Sequence, residues 1–352
     1  MEIQKILEMC VQYQASDVHL LVGIPPMLRL HGKLLTIPET TAITPTQAEA
    51  LVTGLLNEQQ RELVKVDREL DFSYALASGA RFRINVYYEK GNLAAAIRYI
   101  PSKIRTLEEL HLPPVLGELT KLKQGLVLVT GPTGHGKSTT LAAMIQRINA
   151  ERSEHIVTIE DPIEYVHLSL KSIISQRELH ADTHSWGVAL KSVLREDPNV
   201  VLVGEMRDYE TIEAALTVAE TGHLVLATLH TNSAAQTIDR IIDVFPDKEQ
   251  QQIRGQLSLS LEAIIAQRLV PSLDGARIAV AEVLLASPAV RSMIRDGKTH
   301  MLTNVMQTSS DIGMCTLETA LSDAYKTGKI SLPIARDYSL NLDELNRLVG
   351  KN

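Results

Sequence analysis

The chain has 352 residues and a formal net charge of −7, and its composition is 45% hydrophobic and 22% charged. This length predicts about two domains, and the composition is typical of a globular protein with a sizeable core. The negative charge disfavours a broad nucleic-acid-binding surface, and no apolar run approaches the ~20 residues that would span a bilayer. Two cysteines, Cys10 and Cys315, cannot build a four-cysteine zinc site and are expected to be buried thiols in a reducing cytosol.

The first hundred residues mix helical and strand-like patterns. Charges interrupt the apolar residues of the first segment, so it predicts a helix packed on a core rather than a secretory signal. Residues 45–66 are predicted to form one further helical stretch. Strands are predicted at residues 18–22, 27–30, 70–76, 80–88 and 94–99. This mixture predicts a small α+β domain at residues 1–100.

Prolines interrupt residues 101–114 at two places, so this segment is predicted to be a linker. Beyond them the pattern changes, because short continuous runs of Val, Ile and Leu alternate with helical stretches. Such runs occur at residues 126–129, 156–159, 200–203 and 224–229. Runs of this kind are typical of strands buried on both faces of a parallel sheet. The sequence therefore predicts a second, α/β domain at residues 115–352.

Residues 131–138 read Gly-Pro-Thr-Gly-His-Gly-Lys-Ser and match the phosphate-loop pattern G-x-x-x-x-G-K-[ST]. The strand at 126–129 leads into the motif and a helix predicted at 138–149 leads out of it. Gly134 and Gly136 let backbone N–H groups point at phosphate oxygens, and the helix N-terminus adds partial positive charge. The sequence therefore predicts that this loop binds ATP with Mg²⁺.

The residue types within the loop indicate separate roles. Lys137 is expected to reach the β- and γ-phosphates, Ser138 to offer its hydroxyl to Mg²⁺, and Thr139 to contact the α-phosphate. His135 occupies a position that the motif leaves free, so it is assigned no required role. The predicted nucleotide-binding residues are Gly131, Pro132, Thr133, Gly134, His135, Gly136, Lys137, Ser138 and Thr139.

Hydrolysis needs a group that activates water, and a carboxylate follows the strand predicted at 199–203. A carboxylate at the carboxyl end of a parallel strand faces the phosphate site, so Glu205 is the candidate general base. A solvated glutamate that precedes a helix is the other interpretation. Gly204 stands where an acidic residue is usual, so part of the Mg²⁺ shell has to come from elsewhere.

Three carboxylates, Glu160, Asp161 and Glu164, follow the strand predicted at 156–159. Together with Ser138 they are candidates for the Mg²⁺ site and its water shell. Alternatively, Asp161 caps a helix that begins at Pro162.

Two histidines, His223 and His230, bracket the strand predicted at 224–229. His230 follows the carboxyl end of the strand and is therefore better placed to touch a γ-phosphate. The residues alone leave other interpretations open, namely core histidines or a metal-binding pair.

These motifs in combination resemble those of the secretion ATPase superfamily, the hexameric motors of type II secretion and type IV pili. The shared stretches are the phosphate loop, Thr158-Ile-Glu-Asp-Pro-Ile-Glu164, Val203-Gly-Glu-Met-Arg-Asp208 and Glu220-Thr-Gly-His-Leu-Val225. Towards the two ends, Ala15-Ser-Asp-Val-His-Leu20, Ala80-Arg-Phe-Arg83 and Ala289-Val-Arg-Ser-Met-Ile-Arg-Asp296 are similar to the retraction ATPases of type IV pili.

The resemblance implies a PAS-like α+β N-terminal domain followed by a RecA-like ATPase domain with a C-terminal helical region. It implies that Glu164 is the catalytic carboxylate of an acidic box, that Glu205 is the Walker B glutamate, and that His230 senses the γ-phosphate. It further implies that arginines complete the site by bridging phosphate oxygens. The candidates are Arg81, Arg83 and Arg98 of the N-terminal domain and Arg195 and Arg207 of the ATPase domain, with a surface ion pair as the alternative for each.

The function that the resemblance implies is ATP hydrolysis by a homo-hexamer that drives pilus retraction. The motor is expected in the cytoplasm, associated with the inner membrane at the pilus base through a platform protein, with no transmembrane segment. The segment 289–296 departs from the family's retraction motif at Val290, Ser292, Met293 and Asp296, and these changes preserve an amphipathic helix.

Two alternatives remain. A pilus extension or type II secretion motor would carry a four-cysteine zinc subdomain, which two cysteines cannot form. A RecA-like nucleic-acid translocase belongs to another class of function. It is disfavoured by the negative charge and by the lack of a basic tract interleaved with aromatic residues, and no nucleic-acid partner is expected.

Overall fold

The computed structural model describes residues 2–30, 32–100 and 103–350. The chain divides into two compact units, Met1–Lys103 with Pro162–Val166, and Ile104–Asp161 with His167–Asn352. Of the linker predicted at 101–114, residues 101 and 102 lie outside the described residues. Leu107 and Leu112 are buried in a core of the second unit. The domain boundaries at residues 100 and 115 stay a prediction.

In the described part of the first unit, six strands form one antiparallel sheet in the order β3-β2-β1-β6-β5-β4. The strands are β1 (Asp17–Leu20), β2 (Met27–Leu30), β3 (Lys33–Thr36), β4 (Glu69–Ala75), β5 (Arg81–Glu89) and β6 (Asn92–Ile100). The helices are α1 (Ile3–Gln12), α2 (Pro45–Thr53) and α3 (Glu58–Asp67). They bury the apolar side of the sheet, so this unit has its own hydrophobic core.

The predicted first helix is confirmed as α1, whose Ile3, Ile6, Leu7 and Cys10 are all buried. The single helix predicted at residues 45–66 is wrong. Asn57 accepts a hydrogen bond from the backbone N–H of Gln60, and Gln60 returns one to the N–H of Asn57. This capping box begins a new helix, because it satisfies N–H groups that an unbroken helix would have bonded internally.

The second unit contains a sheet of seven strands within the described residues, in the order β13-β12-β7-β11-β10-β8-β9. The strands are β7 (Gly125–Thr130), β8 (His155–Glu160), β9 (Ile173–Glu178), β10 (Val200–Val203), β11 (Leu224–Leu229), β12 (Leu261–Pro271) and β13 (Arg277–Leu285). All neighbours pair in parallel except β12 and β13, which form an antiparallel hairpin. The carboxyl ends of the parallel strands therefore meet at one edge.

Helices cover both faces of this sheet. They are α4 (Val115–Leu119), α5 (Lys137–Glu151), α6 (Trp186–Val193), α7 (Tyr209–Glu220), α8 (Ala234–Asp243), α9 (Asp247–Ser260), α10 (Pro288–Arg295), α11 (Leu302–Thr308), α12 (Leu317–Lys326), α13 (Leu332–Tyr338) and α14 (Leu342–Val349). Each face has a buried apolar core, and α12, α13 and α14 build a smaller core against β12 and β13.

The four predicted apolar runs are confirmed as β7, β8, β10 and β11. Every residue of β7 and β11 is buried, because helices pack on both sides of each strand. The prediction of an α+β N-terminal domain followed by an α/β domain is confirmed. Of the two expected buried thiols, Cys10 is buried and Cys315 is partly exposed. A search of the described residues finds no helix with the length and apolarity that crossing a membrane requires.

Candidate functional site

The phosphate loop connects β7 to α5 and depends on its glycines. Gly131 has a φ of +138°, and a Cβ placed there would lie 2.2 Å from the carbonyl oxygen of Gln267. Gly136 has a φ of +84°, and its added Cβ would lie 2.9 Å from the Gln267 side chain. Both conformations are strained for other residues, and neither position has room for a side chain. Packing against β12 therefore sets the shape of the loop.

Gln267 holds the loop through its side chain as well. Its Nε2 donates to the carbonyl oxygen of His135 at 2.8 Å, and its Oε1 accepts from the hydroxyl of Thr140 at 2.7 Å. Gln267 is buried, so both bonds are shielded from water. The sequence analysis missed this residue, although a glutamine within the apolar run Ile264-Ile-Ala-Gln-Arg-Leu-Val270 was a usable signal.

Lys137 lies folded over the loop. Its Nζ donates to the carbonyl oxygens of Gly131 at 2.8 Å and Pro132 at 3.0 Å, and it lies 3.3 Å from Nδ1 of His230. The side chain of Lys137 is buried, so its positive charge is held where a phosphate would enter.

The start of α5 also fits an anion. Gly136 precedes the helix and provides no side-chain cap. In contrast, Ser185, Asp208 and Ser233 cap α6, α7 and α8 through their side chains. The first N–H groups of α5, which include those of Ser138 and Thr139, therefore face no cap from the preceding residue, and a phosphate group satisfies such N–H groups well.

Glu205 lies just beyond the carboxyl end of β10. Its Oε1 is 2.7 Å from Nε of Arg207 and 3.0 Å from Nε2 of His230. Burial acts to raise the pKa of the Glu205 carboxyl, but the hydrogen bond from Arg207 and the charge of His230 outweigh it, and the pKa lies below its ordinary value. Glu205 is 19% exposed and α7 begins only at Tyr209, so it is not a solvated residue at a helix start.

His230 connects Glu205 to the phosphate loop. Its Nδ1 lies 3.3 Å from both Nζ of Lys137 and Oγ1 of Thr133, while its Nε2 faces Glu205. His223 lies at the opposite end of β11, where its Nδ1 is 3.1 Å from the carbonyl oxygen of Val218. The structure thus brings His230, and not His223, to the loop.

Glu160 is the last residue of β8 and already has two partners. Its Oε1 accepts from the hydroxyl of Thr158 at 2.6 Å and from Nε2 of Gln176 at 3.2 Å. Asp161 is exposed, and residues 162–170 contain no helix, so the interpretation of Asp161 as the cap of a helix that begins at Pro162 is wrong. Glu164 belongs to the first unit. Within the ranges that the structure describes, no group of three or more His, Cys, Asp or Glu side chains could hold a metal ion.

Gly204 has a packing explanation. A Cβ at this position would lie 3.2 Å from Cα of Glu160 and 3.3 Å from the ring of Trp186. Both distances are tighter than ordinary van der Waals contact, so an acidic residue at 204 would crowd β8 and α6.

The chain is similar to known proteins along most of its length. The family model described as Type II/IV secretion system protein matches residues 106–277. The chain is 46% identical to the type IV pilus retraction ATPase PilT of Pseudomonas aeruginosa over 337 residues, which cover 96% of this chain and 98% of that protein. The chain belongs to the type II/IV secretion system protein family.

One further relative and one solved structure are also similar to this chain along most of its length. A twitching motility protein of Neisseria gonorrhoeae is 48% identical over 324 residues, which cover 91% of this chain and 86% of that protein. A crystal structure of the pilus retraction motor PilT with bound ADP superposes with a TM-score of 0.93 at 43% identity, covering 99% of both chains.

The candidate arginines of the second unit differ in position. Arg207 contacts Glu205 and is 72% exposed. Arg195 is also exposed and follows the C-terminal end of α6, and in the described ranges its side chain has no hydrogen bond or ion pair with the loop or Glu205. Of these two, the structure brings only Arg207 to the site.

The candidate arginines of the first unit lie on neighbouring strands. Arg83 of β5 pairs directly with Arg98 of β6, and Arg81 lies two residues before Arg83 on the same face. Nε of Arg98 donates to Oδ1 of Asp17 at 2.9 Å, and Nε of Arg83 lies 3.9 Å from Oδ1 of Asp71. Their role at a phosphate stays a prediction.

His135 has a structural contact that the motif did not indicate. Its Nδ1 accepts a hydrogen bond from the backbone N–H of Leu269 at 3.1 Å. Burial, followed by the charges of Arg268, Lys137 and Arg277, lowers the pKa of His135 below its ordinary value. A neutral ring is required for this acceptor role. His135 therefore joins the loop to β12, and its place among the nucleotide-binding residues stays a prediction.

Proposed function

We propose that this chain is an ATP hydrolase that binds ATP with Mg²⁺ and works as a homo-hexameric motor for pilus retraction. The observation that carries the proposal is the continuous set of contacts from Lys137 through His230 to Glu205. These contacts join the phosphate loop to a carboxylate at the adjacent strand end. A binding protein without turnover needs the loop alone, whereas hydrolysis also needs a base near the γ-phosphate.

Binding rests on the loop. The N–H groups at the start of α5 take phosphate oxygens, and Lys137 exchanges its carbonyl partners for the β- and γ-phosphates. Ser138 would offer its hydroxyl to Mg²⁺, and Glu160 and Asp161 beyond β8 would hold its water shell. When bound, Mg²⁺ neutralises charge that develops on the phosphate oxygens.

Glu205 is the proposed general base. Both Arg207 and His230 contact its Oε1, and these contacts keep the carboxylate oriented. The oriented carboxylate accepts a proton from water. An open cavity of about 790 Å³ lies against Glu205 and His230 and leaves room for water. The lowered pKa of Glu205 keeps it ionised at neutral pH.

The mechanical part of the proposal is supported by the similarity to PilT and by α10. The segment that resembles the retraction motif forms this helix, with Val290 and Ile294 buried and the remaining face partly exposed. The proposed motor acts in the cytoplasm at the inner membrane. It passes movement to a platform protein at the pilus base.

Substitution Glu205→Gln tests the enzymatic part. It keeps the size of the side chain and removes the basic oxygen, so ATP binding is expected to persist while turnover falls by about 10³-fold. The measurements are phosphate release and equilibrium binding of a fluorescent ATP analogue. Glu220→Gln is a matched control, because Glu220 lies on α7 and contacts Gln256 instead of the site. Undiminished turnover in Glu205→Gln would contradict the proposal.

A cellular experiment tests the retraction part. Loss of the protein is expected to give abundant pili that do not retract, and the Glu205→Gln variant should not restore retraction. Cells without any pili would instead indicate an extension motor.

A further inference from the structure

Glu282, in the middle of β13, presents its buried side chain to the starts of two helices. Its Oε1 accepts a hydrogen bond from the backbone N–H of Ala234 at 2.6 Å. The backbone N–H of Leu317 also acts to lower the pKa of this carboxyl, so its partial positive charge faces the same side chain. Ala234 is the first residue of α8 and Leu317 the first residue of α12. One carboxylate therefore hydrogen-bonds the start of α8 and faces the start of α12, and both helix N-termini carry partial positive charge.

The neighbouring backbone fixes this arrangement. Val283 exchanges two backbone hydrogen bonds with Cys315, at 2.8 Å and 3.0 Å, just before α12 begins. The start of α12 is thereby attached to β13 at the residue next to Glu282. A shift of Glu282 or of α12 would be transmitted to the start of α8.

The start of α8 is close to the site along the chain. His230 directly follows the strand that precedes α8, and only residues 231–233 separate it from Ala234. These residues are tied down, because the hydroxyls of Thr231 and Thr237 lie 2.7 Å apart and Thr237 also donates to the carbonyl oxygen of Ser233 at 2.7 Å. The position of α8 therefore constrains where His230 can lie.

The other part of α8 contacts the region that follows the retraction-like helix. Oγ1 of Thr299 donates to Oδ1 of Asp239 on α8 at 2.9 Å. Thr299 comes four residues after the end of α10. One helix is thus attached to the site at its start and to the segment after α10 along its length.

We propose that Glu282 is a positioning residue that holds His230 at the phosphate loop by anchoring α8 to α12. The role rests on the proposed function, since it assigns His230 to the hydrolytic site. It links the site to the C-terminal helices through a single buried side chain.

The electrostatic surroundings make this anchor sensitive to pH. Burial, partly offset by the two N–H groups, raises the pKa of Glu282 to about 7. The charged groups that face it are Glu318 on α12 and Arg268 on β12, and its charge also acts on Cys315 before α12. The ionised carboxylate accepts the N–H of Ala234 and attracts the positive starts of α8 and α12, whereas the protonated form has no charge with which to attract them. The anchor is therefore complete only above about pH 7.

Stability moves in the opposite direction. Because the folded protein binds this proton more tightly than the unfolded chain, protonation stabilises the fold below the ordinary glutamate pKa, and that contribution is lost as the pH rises to about 7. Removing the charge at pH 8 is therefore not expected to unfold the protein. A loss of activity in such a variant cannot then be assigned to lost stability.

The test compares Glu282→Gln with the wild type from pH 6 to pH 9, measuring kcat and KM for ATP together with thermal unfolding. Glu282→Gln keeps the size of the side chain and an acceptor oxygen but removes the negative charge. We expect kcat to fall about tenfold at pH 8 with KM within about twofold, because the loop itself is untouched. The wild-type rise in kcat through about pH 7 should be absent in the variant.

Glu344→Gln is the matched control. Glu344 is equally buried and accepts hydrogen bonds from Gln307 at 2.7 Å and Thr316 at 3.3 Å, but it does not contact α8. Its kcat and pH profile should follow the wild type. A wild-type profile in Glu282→Gln, or the same loss in Glu344→Gln, would overturn the proposal.

Hydrogen exchange of the wild-type protein without nucleotide provides a readout that needs neither a variant nor catalysis. After correction for intrinsic rates, protection at the starts of α8 and α12 should increase as the pH rises through about 7. Unchanged protection would refute the anchor even if ATP is hydrolysed. Absence of wild-type ATPase activity would instead refute the proposed function and leave this readout intact.

Discussion

The two ends of the parallel strands in the second unit carry similar residue types with different surroundings. At the carboxyl ends, His230 contacts both the phosphate loop and Glu205. At the amino ends, the rings of His155 and His223 contact backbone carbonyls and hydroxyl groups. The edge of the sheet on which a histidine lies therefore decides whether it can act at the phosphate loop.

The contacts at the amino edge join the start of β8 to neighbouring segments of the fold. Nδ1 of His155 lies 2.9 Å from the carbonyl oxygen of Glu196, and its Nε2 lies 3.0 Å from Oγ of Ser175. Asn199 accepts the backbone N–H of His155 at 2.8 Å. At this edge the polar groups satisfy one another, whereas at the other edge the uncapped start of α5 and the buried Lys137 favour an added anion. Residue pairs that flank one strand test this difference.

The largest effect is expected for the lysines that flank β7. Lys137→Ala removes the buried charge beside the loop, so ATP hydrolysis should fall by at least about 10³-fold and nucleotide affinity should fall as well. Lys123 is exposed and precedes the amino end of β7, so Lys123→Ala should keep wild-type turnover. Phosphate release and fluorescent nucleotide binding measure both. Equal losses in the two variants would remove the distinction between the edges.

The histidines that flank β11 come next. His230→Ala breaks the link between the loop and Glu205, and we expect kcat to fall about 10²-fold with little change in ADP affinity. His223→Ala at the opposite end should stay within about twofold of wild type in kcat, although it loses the contact with Val218. Steady-state kinetics on both variants provides the measurement. A reversed order of the two effects would contradict the assignment of His230.

A smaller effect is expected for Gln267, which supports the loop from β12. Gln267→Leu leaves the hydroxyl of Thr140 and the carbonyl of His135 without their buried partner, which costs about 1–3 kcal/mol. We expect about tenfold weaker ATP binding, because the loop loses its support while Lys137 and Glu205 remain. Gln124→Leu, just before the amino end of β7, is the control. Calorimetric titration with ADP that shows no difference would rule out this role.

The smallest effect concerns the pH dependence at His135. The pKa of His135 lies below its ordinary value, so its contribution to stability is present above about pH 6.5 and is lost as the pH falls through the folded value. His135→Ser should therefore lose less thermal stability than the wild type between pH 6.5 and pH 5. At pH 7.5, turnover should change by less than about twofold. If the thermal stability of the two proteins changed equally with pH, the contact with Leu269 would contribute nothing to the pH dependence of stability.

Local patterns were sufficient for much of the fold. The continuous apolar runs predicted β7, β8, β10 and β11, because a strand buried on both faces needs no polar alternation. The same patterns missed the break near Asn57, since a capping box within a helical run has the same period as the helix. They also missed β9 and the hairpin of β12 and β13, whose polar and apolar residues follow no simple alternation.

The candidate site divides in the same way. Lys137 and Glu205 could be identified because each follows a strand in a recognisable local motif. Gln267 and Glu282 could not, since the groups they support lie more than thirty residues away in the chain. A buried polar residue within an apolar strand was the sole local sign of either one.

By itself, the sequence determined which segments become buried parallel strands and which loop can cradle a phosphate, because burial period and glycine placement are local properties. It also carried enough similarity to assign the family. Only the tertiary structure decided which histidine reaches the loop, which glutamine supports it, and which carboxylate joins α8 to α12. Hydrogen bonds depend on distances of a few ångströms, and strand order rather than chain order sets those distances.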